Sequence, residues 1–417
     1  MKLALPLINS SRRRSQKKAI FAEGLDGVLI VITGVLLCLG LVMVASASIT
    51  VADRQMGQPF FYLYRQLIAT GLGVVALMFM LKVRLANWER AGMWLLGFSM
   101  LLLVLVLIPG IGKMVNGSRR WITLGVLNVQ VSEVVKLWML IYVAGYLVRK
   151  GEEVRSSLWG FIKPMLLVGL AGVLLLMEPD FGASVVIIAT VLAMMFIGGV
   201  SFVQFVTFIG LFGVAAAGLI MSSPYRMERL TAYLNPWADP FDTGFQLTQS
   251  LIAIGSGSLT GLGLGNSVQK LFYLPEAHTD FVFAVMAEEF GLLGVLLVIG
   301  LFAAFITRAF MIARRAEARG NMFAAYVAYG IGVWLGMQGF INIGVNMGLL
   351  PTKGLTLPLM SYGGSSLIVV MAAIGLLLRI HYECSGNQAM PKPATGEARK
   401  PRDNVAKDVR SLIEEAA

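Results

Sequence analysis

Glu178-Pro179-Asp180-Phe181-Gly182 interrupts an apolar run that extends from about residue 161 to about residue 200. Proline and glycine punctuate the break. Each flank is close to the roughly 20 residues that carry a helix across a bilayer. The stretch therefore reads as a tight turn between two membrane helices, and it decides the class of the chain. Composition agrees, because 57% of the 417 residues are hydrophobic and only 14% are charged. A soluble domain has about 45–50% apolar and about 25% charged residues. The runs are continuous rather than alternating, which favours helices over a membrane barrel.

The same ruler applied outward finds further apolar runs near 26–49, 61–81, 92–110, 131–148, 203–222, 280–307, 322–349 and 364–381. With 161–177 and 183–200, these predict an all-α integral membrane protein of ten transmembrane helices. Lysine and arginine set the orientation. Placing the N-terminus inside puts 24 of the 34 basic residues in inward segments, including the tail that follows Arg379. Both termini are then cytoplasmic. The chain divides into a basic tail (1–24), a membrane domain (25–383) and a polar tail (384–417) with Pro391, Pro393 and Pro401. The net charge of +11 reads as contact with anionic headgroups rather than with nucleic acid. The two cysteines, Cys38 in the first apolar run and Cys384 after the last, imply no disulfide framework or zinc ligand set.

The outward side carries the unusual residues. A long periplasmic loop over 223–279, between helices 7 and 8, holds Tyr225, Tyr233, Trp237, Phe241, Phe245, Phe272 and Tyr273. A loop of that length is uncommon without a function. It ends in Leu274-Pro275-Glu276-Ala277-His278-Thr279-Asp280-Phe281-Val282-Phe283, which runs straight into the eighth helix. Glu276, His278 and Asp280 put proton-handling groups in one short span. Asp280 is either a helix cap, in competition with Thr279, or a catalytic acid or base. Glu288 and Glu289 lie roughly 12–14 Å deeper along that helix, and such acids usually pair with a basic residue.

Glu133 and Lys136 share a face of the fourth helix and can form an ion pair. That pair is either internal structure or the wall of a polar cavity. Lys113, Arg119, Arg120, Arg226, Arg229, Lys270 and Lys353 lie outside, against the charge bias. Guanidinium forks and ammonium groups recognise phosphates. A specific phosphate ligand and ordinary phospholipid headgroups both fit them. The glycines from Gly255 to Gly265 lack the strand–helix context of a dinucleotide loop, so close packing accounts for them better. No Walker loop, zincin motif or nucleophile elbow is present. Ser15 and Lys18 have Ser-x-x-Lys spacing but sit in the cytoplasmic tail without partner motifs.

Several stretches together resemble one family. They are Asn116-Gly117-Ser118-Arg119-Arg120-Trp121, Gln130-Val131-Ser132-Glu133-Val134-Val135-Lys136, residues 178–182, residues 274–281, residues 348–358 and Ser361-Tyr362-Gly363-Gly364-Ser365-Ser366. In this order they resemble the SEDS (shape, elongation, division and sporulation) proteins over roughly residues 25–383. Residues 233–240 and 265–270 are most similar to the division member. The elongation member is the alternative.

The resemblance implies a peptidoglycan glycosyltransferase that polymerises lipid II and releases undecaprenyl pyrophosphate. It implies Asp280 as the catalytic residue, with Glu133, Lys136, Ser361 and His278 binding substrate. Glu276 and His278 have loop shaping as their alternative role. Arg119, Arg120 and Lys353 are candidates for holding the pyrophosphate, and a divalent cation (magnesium or manganese) is the other candidate for that charge. Also implied are a class B penicillin-binding transpeptidase as partner, further divisome proteins, and a place in the bacterial inner membrane at the septum. The rival classes are a lipid II flippase, which would depend on Glu288 and Glu289, and a scaffold, which would tolerate loss of Asp280.

Overall fold

The computed structural model describes residues 24–385, except 116, 125, 126, 223, 272 and 353. The tails at 1–24 and 384–417 lie outside these residues but for Gly24, Cys384 and Ser385. The helices are α1 (Gly27–Met56), α2 (Phe61–Lys82), α3 (Leu85–Leu107), α4 (Val131–Ser156), α5 (Leu158–Met177), α6 (Phe181–Ile197), α7 (Phe202–Met221), α8 (Pro224–Leu234), α9 (Phe245–Ser256), α10 (Val282–Ala318), α11 (Met322–Asn346) and α12 (Gly364–Cys384). Among the described residues, nine helices are long and apolar enough to cross a membrane. The tenth apolar run forms α6, with 17 residues. At about 1.5 Å per residue it is about 26 Å long, the lower end of spanning length. The break at 178–182 is a turn between α5 and α6, as the sequence predicts.

The core follows from which helices are apolar all round. In α4, α11 and α12 most residues are buried, so these helices form the centre. By contrast α7 has no buried residue; it rests on the bundle through Phe205 and Phe208, which meet Phe196 and Phe161, and its other faces are apolar and exposed, as on a lipid-facing helix. Hydropathy marks the membrane portion of a helix but not its end. Thus α1 runs on past residue 49 until Gly57 takes a left-handed turn (φ 63°), and α10 continues past residue 307 through its arginines to Ala318.

Two corrections concern the loops. Residues 112–130 are not an open loop but a three-stranded antiparallel sheet: β1 (Gly112–Val115), β2 (Ser118–Leu124) and β3 (Leu127–Gln130). The all-α expectation therefore misses a small sheet. Ser365 anchors it to the start of α12, accepting from the Gln130 amide (3.0 Å) and donating to the Asn128 carbonyl (2.8 Å). The long loop is partly helical, holding α8 and α9.

The helix α10 is itself broken at Gly291 (φ 65°, ψ −161°). A break at that depth frees backbone groups that hydrocarbon cannot satisfy. The segment after α9 supplies the partners. Leu262 and Gly263 amides donate to Glu288 and Glu289 carbonyls (3.0 and 3.1 Å), and Leu292 and Leu293 amides donate to Ser258 and Leu259 carbonyls (3.0 and 3.2 Å). The backbones approach so closely that a Cβ on Gly261 or Gly291 would overlap the opposite main chain. Close packing, expected for these loop glycines, is thus realised at Gly257 and Gly261.

The far end of the bundle is closed by ions. Arg308 Nε lies 2.9 and 2.7 Å from the two carboxylate oxygens of Asp26, which also caps α1. Arg379 Nε donates to Glu383 (2.6 Å), and Glu383 accepts from the Leu85 amide (3.2 Å). These contacts tie α1 to α10 and α12 to α3 at the basic side.

Candidate active site

Asp280 sits one residue before the N-cap of α10, and that N-cap residue, Phe281, makes no side-chain cap bond. Neither Asp280 nor Thr279 caps the helix. Thr279 Oγ1 instead donates to Glu276 (2.7 Å to Oε2), and α11 completes the start of α10. Asn346 Oδ1 accepts from the Ala284 amide (3.1 Å), while its Nδ2 donates to the Asp280 carbonyl (3.0 Å). Asn342 Nδ2 donates to the same carbonyl (2.9 Å) and to that of Leu355 (2.6 Å). The main chain of Asp280 is therefore clamped. Its carboxylate makes no side-chain hydrogen bond to another described residue, and a Cβ added to Gly354 would lie 3.1 Å from its Oδ2. Removal from water and the neighbouring Glu276 push the pKa of Asp280 up to about 7, against the pull of Arg120. Such a group is poised to accept a proton near neutral pH.

The clamp belongs to a stripe. Gln338, Asn342 and Asn346 recur every fourth position on α11, so they share one face. All three are buried. Gln338 extends the stripe to the ion pair of α4. Lys136 Nζ donates to Glu133 (2.7 Å) and to Gln338 Oε1 (2.8 Å), and it lies over the Trp334 ring at 5.4 Å. Gln338 Nε2 donates onward to the Thr356 carbonyl (3.0 Å). Glu133 and Lys136 thus form an internal pair that fixes the segment beside Asp280. Both are buried; Lys136 lines a small cavity with Thr190 and Trp334, and Glu133 Oε2 has no partner among the described residues.

A second acidic group faces the first. Asp180 caps α6 through the Ala183 amide (3.2 Å) and accepts from Ser132 (2.8 Å) and Gln130 (3.1 Å). Arg120 reaches it from β2, with Nη1 3.9 Å from Asp180 Oδ1. Arg120 Nε is buried and has no hydrogen-bond partner among the described residues. The β1–β2 register passes from Lys113 opposite Trp121 to Met114 opposite Arg119, so Arg120 is the unpaired residue of a bulge, where the strand's alternation is broken. Of the two predicted guanidiniums, Arg120 is the one with a described contact to Asp180. Lys353 lies outside the described residues, as does the side chain of Arg226. Lys270 is committed elsewhere. Ser361 is buried, and its hydroxyl accepts from the Leu357 amide (2.8 Å), so it shapes the turn. His278 is half-buried at the mouth.

Glu178, beside Asp180, is fully buried, and neither carboxylate oxygen has a partner among the described residues. Burial, then repulsion by Asp180, pushes its pKa up to about 8 against the attraction of Arg120. The folded protein thus keeps a proton that the unfolded chain releases above its ordinary value of 4.5. This group's contribution to stability falls as pH rises from about 4.5 to about 8. Glu178→Gln removes that loss. In thermal denaturation the variant is expected to exceed the parent at pH 8, and the gap is expected to close towards pH 5. A pH-independent gap contradicts the assignment.

The deep acids are structural. Glu289 pairs with Lys270 (2.9 Å) and accepts from Ser46 (2.6 Å). Glu288 pairs with no cation among the described residues; it takes the Ser267 hydroxyl and the amides of Val268 (3.0 Å) and Gln269 (3.4 Å). Pairing with a base thus holds for one of the two. Both carboxylates bind the segment after α9 to the broken helix.

A family model described as cell cycle protein, covering FtsW, RodA and SpoVE, matches residues 27–386. The chain belongs to the FtsW/RodA/SpoVE family. Among curated members of that family, a probable peptidoglycan glycosyltransferase FtsW of Thioalkalivibrio sulfidiphilus is 57% identical over 377 residues, 90% of this chain and 94% of that one. One of the same name from Coxiella burnetii is 54% identical, covering 88% and 99%. A solved chain from a study of how a peptidoglycan synthase complex coordinates polymerization and crosslinking has a TM-score of 0.72 and 32% identity, covering 87% and 99%. The rod shape determining protein RodA of Thermus thermophilus has a TM-score of 0.65 at 31% identity, covering 88% and 99%. The family fold is thus an apolar helical bundle, and in this chain it presents Asp280, Arg120 and Asp180 at one end.

Proposed function

We propose that this chain is a peptidoglycan glycosyltransferase that polymerises lipid II on the periplasmic face of the inner membrane at the division septum. The observation that carries the reading is the carboxylate of Asp280, unbonded among described side chains and fixed by its own main chain. Asp280 accepts the proton of the acceptor's 4-hydroxyl. The new bond forms from that oxygen to the anomeric carbon of the growing strand, and the bond from that carbon to phosphate breaks. Undecaprenyl pyrophosphate leaves with the bonding pair. Inversion needs no covalent intermediate and so no second carboxylate acting as nucleophile.

Arg120 is the described group best placed to meet the pyrophosphate charge, with Lys353 as its proposed companion. Among the described residues no three His, Cys, Asp or Glu side chains converge to hold a metal ion. A magnesium or manganese ion would then be held by one or two carboxylates together with the pyrophosphate oxygens. The higher identity to FtsW relatives than to RodA supports division over elongation. The solved synthase complex supports a class B penicillin-binding transpeptidase as partner and, with it, other divisome proteins. A gradient-driven flippase is disfavoured because Glu288 and Glu289 are spent on structure.

The test uses the purified protein with its transpeptidase partner and labelled lipid II in detergent, where no gradient exists. Glycan polymer is expected. Translocation of lipid II across vesicles with no polymer in detergent would establish the flippase instead.

A further inference from the structure

Three rings from three segments meet beside Asp280. Tyr62 is at the start of α2, His278 is two residues before Asp280, and Tyr362 precedes α12. Their centroids lie 4.6 Å (Tyr62 to His278), 5.1 Å (Tyr62 to Tyr362) and 5.6 Å (His278 to Tyr362) apart. The triangle is held by backbone bonds. The Tyr362 amide donates to the His278 carbonyl (2.9 Å), and Gln66 of α2 donates to the Ser361 carbonyl (3.1 Å). All three residues are half-buried, so the cluster is open on one side. Interfacial aromatic residues usually stand singly at headgroup level. These three contact one another, and His278 shares its loop with the proposed base. Their positions owe nothing to the ion pairs that hold the bundle.

Rigid rings with negative faces suit a pyranose, which presents a face of polarised C–H bonds beneath its hydroxyls. Rings also cost little conformational entropy when they bind. We propose that Tyr62, His278 and Tyr362 form a pyranose-binding platform that receives the acceptor sugar, with its attacking hydroxyl toward Asp280. The identity of the sugar rests on the polymerase reading; the platform rests on the rings. His278 Nδ1 is buried without a partner among the described residues. Burial also lowers the His278 pKa, against the pull of Glu276.

The experiment measures binding in an Asp280→Asn background, where substrate is held without turnover. Fluorescent lipid II is the probe, and undecaprenyl pyrophosphate, which lacks the sugars, is the competitor. Tyr62→Leu and Tyr362→Leu keep apolar volume without a π face. Each is expected to weaken lipid II binding about tenfold, the scale of one lost ring contact. Undecaprenyl pyrophosphate is expected to bind within about twofold of the parent, and Tyr62→Phe to keep lipid II affinity within about threefold. Unchanged lipid II affinity in both leucine variants overturns the platform. So does an equal loss for the two ligands, which marks a general disturbance of the site. No lipid II binding by the parent overturns the polymerase reading and, with it, the sugar.

Discussion

Lys136→Met is expected to destabilise the protein by about 3–5 kcal/mol, because it leaves a buried carboxylate without its counter-charge. Lys136 and Glu133 are each 4% exposed, so water cannot replace the lost partner. The same change removes the bond to Gln338, and Gln338 holds the Thr356 carbonyl. The damage should therefore spread from α4 through α11 to the segment beside Asp280. Thermal denaturation in detergent measures it. The double variant Glu133→Gln/Lys136→Met removes both charges and is expected to recover most of the loss, since a buried pair contributes far less than its breaking costs. A double variant as unstable as Lys136→Met alone would show that the ammonium itself, not its pairing, is what the fold needs.

Asp280→Asn is expected to lower glycan synthesis about 10²–10⁴-fold, the usual contribution of a general base. Asparagine keeps the shape and cannot take the proton. Asn342 and Asn346 hold the main chain of residue 280, so the fold should survive. The pH dependence has a definite sign. A base works deprotonated, and the Asp280 pKa is pushed up to about 7 by burial and by Glu276. Activity is expected to rise with pH through about 7 and level off above it. Glu276→Gln removes one of the raising influences, so the rising limb should move to lower pH. A profile that stays put in Glu276→Gln would assign the limb to another group.

The membrane class and the positions of the helices are legible in the sequence, because a chain of this length can keep so many apolar runs of spanning length out of water only in a bilayer. The pair Glu133–Lys136 is legible too, since helical spacing of three puts the two on one face. Asp280 stands out as an acid at a helix start, but the sequence leaves cap and base open. Only the structure shows that Asn346 satisfies the helix start instead. The signal for it is present in Gln338, Asn342 and Asn346, one polar face on an apolar helix. The break at Gly291 is hidden because hydropathy runs through it without change. What compensates the break is a loop far away in sequence, and periodicity cannot report such pairing. The small sheet escapes for a similar reason: β1 and β3 are four residues each, too short for alternation to register. That sheet brings Arg120 to Asp180 from a bulge in β2, a local irregularity that sequence spacing does not report.

The sharpest comparison sets wild type beside Asp280→Asn in one preparation, recording lipid II bound and glycan polymer formed. Both proteins are expected to bind lipid II, and only the wild type to make polymer at an appreciable rate. Equal polymer from the two would overturn the assignment of Asp280 as the general base.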